Sequence, residues 1–196
     1  LIVITLSMFF VSKIKSRSIL FLILLGGIFF FTFLELGLIN SYQLSRITNF
    51  FNTVDFAQSQ SRLAISSGGI TGQFFEADKI NQIFIPVQST DFIFSAYAYQ
   101  FGFIGVLLLS SLWLFFFYRV ARIILSTDSD FEKFILAGFS ASLIFQIFIN
   151  ISTVIGVIPV TGMPFPLLSL GGSSLIATAV IFGIINRIFI ENNVVI

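Results

Sequence analysis

The chain has 196 residues, 57% of them hydrophobic and 10% charged, with a net charge of +1. A soluble domain carries about 25% charged residues, so this supply of polar side chains excludes a water-facing globule and makes lipid the solvent over most of the chain. The absence of both Cys and His excludes disulfides, thiol nucleophiles and imidazole bases, which leaves acid–base chemistry to Asp, Glu, Lys or Tyr. A charge of +1 gives no argument for nucleic acid, and no nucleic-acid partner is expected.

The first apolar run, 1–11, is too short to span a bilayer and reads as truncated. Because the chain opens at Leu1 within that run, it is expected to be part of a longer membrane protein. "SKIKSRS" follows, with Lys13, Lys15 and Arg17. The second run, 19–39, is about 30 Å long as a helix, one bilayer core. The interval 40–90 is polar, rich in Ser, Gln, Asn and Gly. It exceeds an ordinary connection and is expected to be structured and functional. A third span is predicted over 91–118, ending at Arg119 and Arg122, and a fourth over 131–158, stopped by Pro159. The fifth is predicted over 164–188. The predicted fold class is therefore all-α: a polytopic membrane helix bundle of about five spans with a large structured outer loop.

If the spans alternate, Lys13, Lys15, Arg17, Arg119, Arg122, Lys133 and Arg187 share one side, which the positive-inside rule makes cytoplasmic. The interval 40–90 and the turn 159–163 then face outward. Asp128, Asp130, Glu132 and Glu191 read as solvated charges on the cytoplasmic side. Glu35, near an outer span end, either snorkels to the interface or faces a polar cavity. Asp55, Glu76, Asp78 and Asp91 lie outside, and Asp91 stands where the chain enters the membrane. Two readings of Asp91 are open. It is a helix N-terminal residue meeting orphan N–H groups, or it is a site carboxylate. Held ionised at a helix start it suits a metal ligand or an orienting base, whereas burial against phenylalanine would raise its pKa toward a stronger general base. The outer cations Arg46, Arg62 and Lys79 either solvate the loop or grip a diphosphate, for which the Arg fork is well shaped. "SSGG" at 66–69 marks a turn or a close backbone approach.

"GMPFPLLSLGGSS", residues 162–174, opens the last span with two prolines, three glycines and three serines. Pro164 and Pro166 suit a helix start, which tolerates a missing N–H. Gly171 and Gly172 admit a neighbouring helix or a substrate chain. Ser169, Ser173 and Ser174 can satisfy backbone groups loosened nearby. The stretch is either a packing device or a polar notch for a lipid head group.

The block "NISTVIGVIPVTGMPFPLLSLGGSSLIATAVIFGIINRI" resembles the last two spans of the SEDS family (shape, elongation, division and sporulation proteins, including RodA, FtsW and SpoVE). "STDFIFSAYAYQFGFIGVLLL" is similar to the family's preceding segment, and "QSRLAISSGGITG" and "YQLSRI" to outer-loop elements. The Pro-Val-Thr-Gly to Gly-Gly-Ser-Ser block is the most specific of these, and the wording is nearer RodA than FtsW. The resemblance runs over nearly the whole chain and implies the C-terminal half of such a protein, inactive by itself. It implies a peptidoglycan glycosyltransferase that polymerises lipid II at the outer face of the bacterial cytoplasmic membrane, in elongation or division, with a class B penicillin-binding protein as crosslinking partner. The family's essential acid falls on Asp91, next to Thr90. The chain departs from the family pattern at Val87, Ser89, Tyr99, Gln100 and Leu170. Loss of acids at Val87, Tyr99 and Gln100 leaves Asp91 more solitary.

The expected chemistry is a single displacement, with Asp91 orienting or deprotonating an acceptor hydroxyl and Arg46 and Arg62 meeting the leaving diphosphate. Lys79, Thr90, Ser169, Gly171, Gly172, Ser173 and Ser174 complete the substrate-binding candidates. A divalent cation (Mg or Mn), held by Asp91, is an alternative aid. Membrane lipids surround the spans. Two other functions compete: a lipid-precursor flippase, and an inactive scaffold for the crosslinking enzyme. A flippase needs polar residues at mid-span. Gln146 and Asn150 are the main such pair, whereas the acids cluster outside.

Overall fold

The computed structural model describes residues 55–73 and 91–192, together with isolated helical positions at Ile4, Ser7, Leu24, Gly27 and Thr32. The runs expected as the first two spans, and most of the outer interval, lie outside the described residues. Four helices are described: α1 (Phe56–Gly68), α2 (Ile93–Ser126), α3 (Asp130–Ile155) and α4 (Gly172–Glu191). There is no strand among the described residues, so the all-helical expectation holds. Helices α2, α3 and α4 are each long and apolar enough to cross a membrane. Their outward residues, among them Leu112, Leu114, Phe115 and Ile176, are exposed and apolar, as lipid-facing positions must be.

Two apolar clusters hold the bundle. One joins Val120 and Ile123 of α2, Leu136 of α3, and Ile185 and Ile188 of α4. At this end Asn192 donates to Glu132 (2.7 Å), and the Arg119 guanidinium lies over the Phe189 ring. Arg119, Arg122, Lys133 and Arg187 are thus gathered at one end, as the charge pattern predicts. Lys13, Lys15 and Arg17 lie outside the described residues.

The other cluster joins Ala64 of α1, Phe92, Phe94 and Tyr99 around the start of α2, Val154 of α3, and Phe165. Here α2 is not a simple rod. Gly102 takes φ 64 and ψ −165, which breaks the helical path. The turn after α1 fills that break. Phe103 N–H donates to Gly69 O (3.0 Å), Ile104 N–H to Ile70 O (3.1 Å), and Gln73 N–H to Tyr99 O (3.1 Å). A β-carbon on Gly68 would overlap the Ala98 carbonyl oxygen, and one on Gly72 the Gln100 carbonyl oxygen. The expectation of a close backbone approach at 66–69 is met, and the interval that holds it is structured over 55–73.

The last helix begins at Gly172, later than the Pro164 expected. The chain from Gly156 to Gly171 is non-helical. Each proline pushes the preceding residue toward extended backbone. Leu167 adopts φ 63, which also denies a helix there.

Candidate functional site

The site is built where α1, the start of α2, the end of α3 and the 156–171 segment meet. Asn150 is its centre. It is 1% exposed, between Ile149 and Ile151 on α3. Its Nδ2 donates to Asp91 O (2.9 Å) and to Met163 O (2.7 Å). One carboxamide therefore joins two segments remote in sequence, the entry to α2 and the Pro-Val-Thr-Gly-Met turn. Both partners are carbonyl oxygens, which fixes which amide atom faces them.

Asp91 itself is half-buried. Its neighbour Phe92 is buried and occupies the cap position of α2, with no side-chain cap hydrogen bond. The carboxylate is thus not used as the helix cap, and no described residue donates a hydrogen bond to it. It lies beside Gly162, where an added β-carbon would stand 3.7 Å from Oδ2. Gly162 has φ 71, so the turn passes the carboxylate in a conformation that favours glycine. Asp55, by contrast, does act as a cap: it accepts from Ala57 N–H at 2.8 Å and starts α1.

Helix α1 is seated on the carbonyl end of α3. Gln58, 3% exposed, donates through Nε2 to Thr153 O (3.0 Å) and Ile158 O (2.8 Å). Ser61 Oγ donates to Val154 O (3.0 Å). The Arg62 guanidinium lies against Gly156, the left-handed C-cap of α3, and a β-carbon there would be 3.6 Å from its Cζ. A cation is favoured at this negative end of the helix dipole. Arg62 is otherwise exposed and stands at the same end of the bundle as Asp91. Arg46, Lys79 and Thr90 lie outside the described residues.

The serine-glycine stretch divides. Ser169 is buried and accepts from Phe165 N–H (2.8 Å), closing a turn whose Phe165 ring stacks 5.9 Å from that of Phe94. Ser174 Oγ donates to Gly171 O (2.9 Å). These two hydroxyls serve the backbone, as expected of serines beside a loosened chain. Gly171 is the cap of α4, while Gly172 and Ser173 are exposed at its start, where N–H groups are unpaired within the helix. Of the positions expected to lack the family's acids, Tyr99 is buried in the apolar cluster and Gln100 borders the Gly72 turn, while Val87 lies outside the described residues. No group of three His, Cys, Asp or Glu is arranged to hold a metal among the described residues. Asn150, Gln58 and Ser61 are the site residues that sequence reasoning did not select. Asn150 shows in the sequence only as a polar residue within a span, whereas Gln58 and Ser61 stand in a polar interval where nothing sets them apart.

Residues 1–194 match the FtsW/RodA/SpoVE family model, described as cell cycle protein. Peptidoglycan glycosyltransferase RodA of Treponema pallidum is 34% identical over 162 residues, which are 79% of this chain and 37% of that protein. An FtsW relative from Mesostigma viride is 34% identical over 159 residues, 78% of this chain and 38% of its own. Among solved structures, a chain of a peptidoglycan synthase complex that coordinates polymerization and crosslinking is similar with a TM-score of 0.68 and 29% identity. The match covers 94% of this chain and 52% of that one. The chain thus spans between about a third and a half of the proteins it matches. Three span-length apolar helices and these relatives make it a multi-pass membrane protein.

Proposed function

The chain belongs to the FtsW/RodA/SpoVE family, and on that premise we propose that it forms part of a peptidoglycan glycosyltransferase of the bacterial cytoplasmic membrane. The substrate is lipid II, and the working partner is a class B penicillin-binding protein. What carries this reading is the Asp91 carboxylate. It belongs to a half-buried residue, is not spent on capping and stands beside the Gly162 turn, while Asn150 bonds the main-chain carbonyl of the same residue. A carboxylate in that condition is available to a sugar hydroxyl.

In the proposed step the acceptor hydroxyl oxygen bonds to the donor's anomeric carbon as the carbon–oxygen bond to the diphosphate breaks. The electron pair leaves with the lipid diphosphate, and the hydroxyl proton passes to Asp91 and then to water. The negative charge growing on the diphosphate needs a cation. Arg62 is available to it, exposed at the same end of the bundle, with Arg46 as its proposed companion. A Mg or Mn ion fits the same scheme, because such ions bind through one carboxylate together with phosphate oxygens. Asp91 would hold it and would then orient the acceptor hydroxyl rather than take its proton, and the ion would supply charge neutralisation at the diphosphate. Gly172 and Ser173, at the exposed start of α4, are further proposed contacts for the head group.

The test is Asp91→Asn in the complete natural protein. We expect polymerisation of purified lipid II to be abolished at unchanged expression. Normal polymer from that variant would reject the reading.

A further inference from the structure

We infer that Asn150 is a positioning residue for the glycosyl-transfer site, acting through the main chain of Asp91 rather than on the substrate. The inference rests on the proposed role of Asp91. Three observations support it. The Nδ2 group holds Asp91 O at 2.9 Å and Met163 O at 2.7 Å, one hydrogen for each carbonyl. The side chain is 1% exposed, so water does not compete for those bonds. The Oδ1 atom is buried and has no donor among the described residues.

With no described donor at Oδ1, the two bonds from Nδ2 are the side chain's described hydrogen bonds, and an apolar residue at position 150, like the neighbours Ile149 and Ile151, could make neither. The link between the two carbonyls is what the carboxamide supplies. Without it, the entry to α2 and the 160–163 turn lose their direct link. The carboxylate of Asp91 then loses its fixed distance from Gly162, and a displacement of about 1 Å at a reacting group can cost roughly 100-fold in rate.

The experiment compares Asn150→Asp, Asn150→Leu and Asp91→Asn in the complete natural protein, with Leu143→Ala as control. Leu143 is fully buried on the same helix and takes no part in the link. Lipid II polymerisation is resolved into kcat and KM, and thermal unfolding is measured in detergent. We expect both Asn150 variants to lose at least about ten-fold in kcat with KM changed by less than about three-fold. Leu143→Ala should lose thermal stability and keep the kcat of its folded fraction. Unchanged kcat in the Asn150 variants overturns the inference, as does a loss that merely follows the folded fraction, as in the control. An active Asp91→Asn protein instead rejects the reading of Asp91, so the two failures are told apart.

Discussion

Gly162 passes Asp91 with φ 71, a conformation that costs an L-residue such as alanine about 1–2 kcal/mol. The space itself is adequate, since the added β-carbon would stand 3.7 Å from Oδ2. Gly162→Ala should therefore lower the thermal unfolding temperature modestly and slow polymerisation, by placing a methyl group where the acceptor sugar must approach; unfolding and initial-rate measurements on one preparation check both. Asp91 was legible in the sequence because a charge at a membrane entry needs a reason. The structure gives the cap position to Phe92, so capping does not account for the Asp91 side chain, and its role as a site carboxylate is what the Asp91→Asn experiment tests. Asn150 was visible only as a polar residue within a span. Which carbonyls it meets depends on Met163, 13 residues away, and Asp91, 59 residues away, and no local pattern encodes such pairs.

At the scale of the elements, two contacts decide how α1 is held. Gln58 covers two carbonyls at the end of α3. Gln58→Ala should destabilise the protein by about 2 kcal/mol, read as a lower unfolding temperature and faster proteolysis within α1. Gly72 has φ 79 and no room for a β-carbon against the Gln100 carbonyl. Gly72→Ala should expel the turn and uncover the Phe103 and Ile104 N–H groups, at about 1–3 kcal/mol for each; faster hydrogen exchange at those two amides would report it. The apolar helices were legible from hydropathy because lipid enforces a simple rule. The start of α4 was not. Pro164 and Pro166 are compatible with the first turn of a helix and equally with an extended chain, and it is the burial of Phe165 against Phe94 and Trp113 that selects the second. Gly102 likewise reads as a packing glycine until the turn that pairs with it is seen.

Across the whole molecule, the four described cations of the span ends gather opposite the Asp91 end, joined by the Asn192–Glu132 bond and the apolar cluster beside it. These 196 residues contain no Cys, so a thiol introduced among them is read directly against the unsubstituted protein. Ser66→Cys on α1 should react with a membrane-impermeant maleimide added to intact cells with the outer membrane permeabilised, and Ser129→Cys at the start of α3 should react only after lysis. The reverse pattern would invert the orientation. The overall plan was legible because charge and hydropathy act over whole spans, while the docking of α1 rests on individual polar contacts. One further consequence comes from the break at Gly102. The 69–73 turn works as a tongue in a groove: it supplies the main-chain pairing that the helix gives up. Withdrawing the tongue would strand two amides at the edge of the bilayer, so the bend of the helix and the seating of the turn must change together.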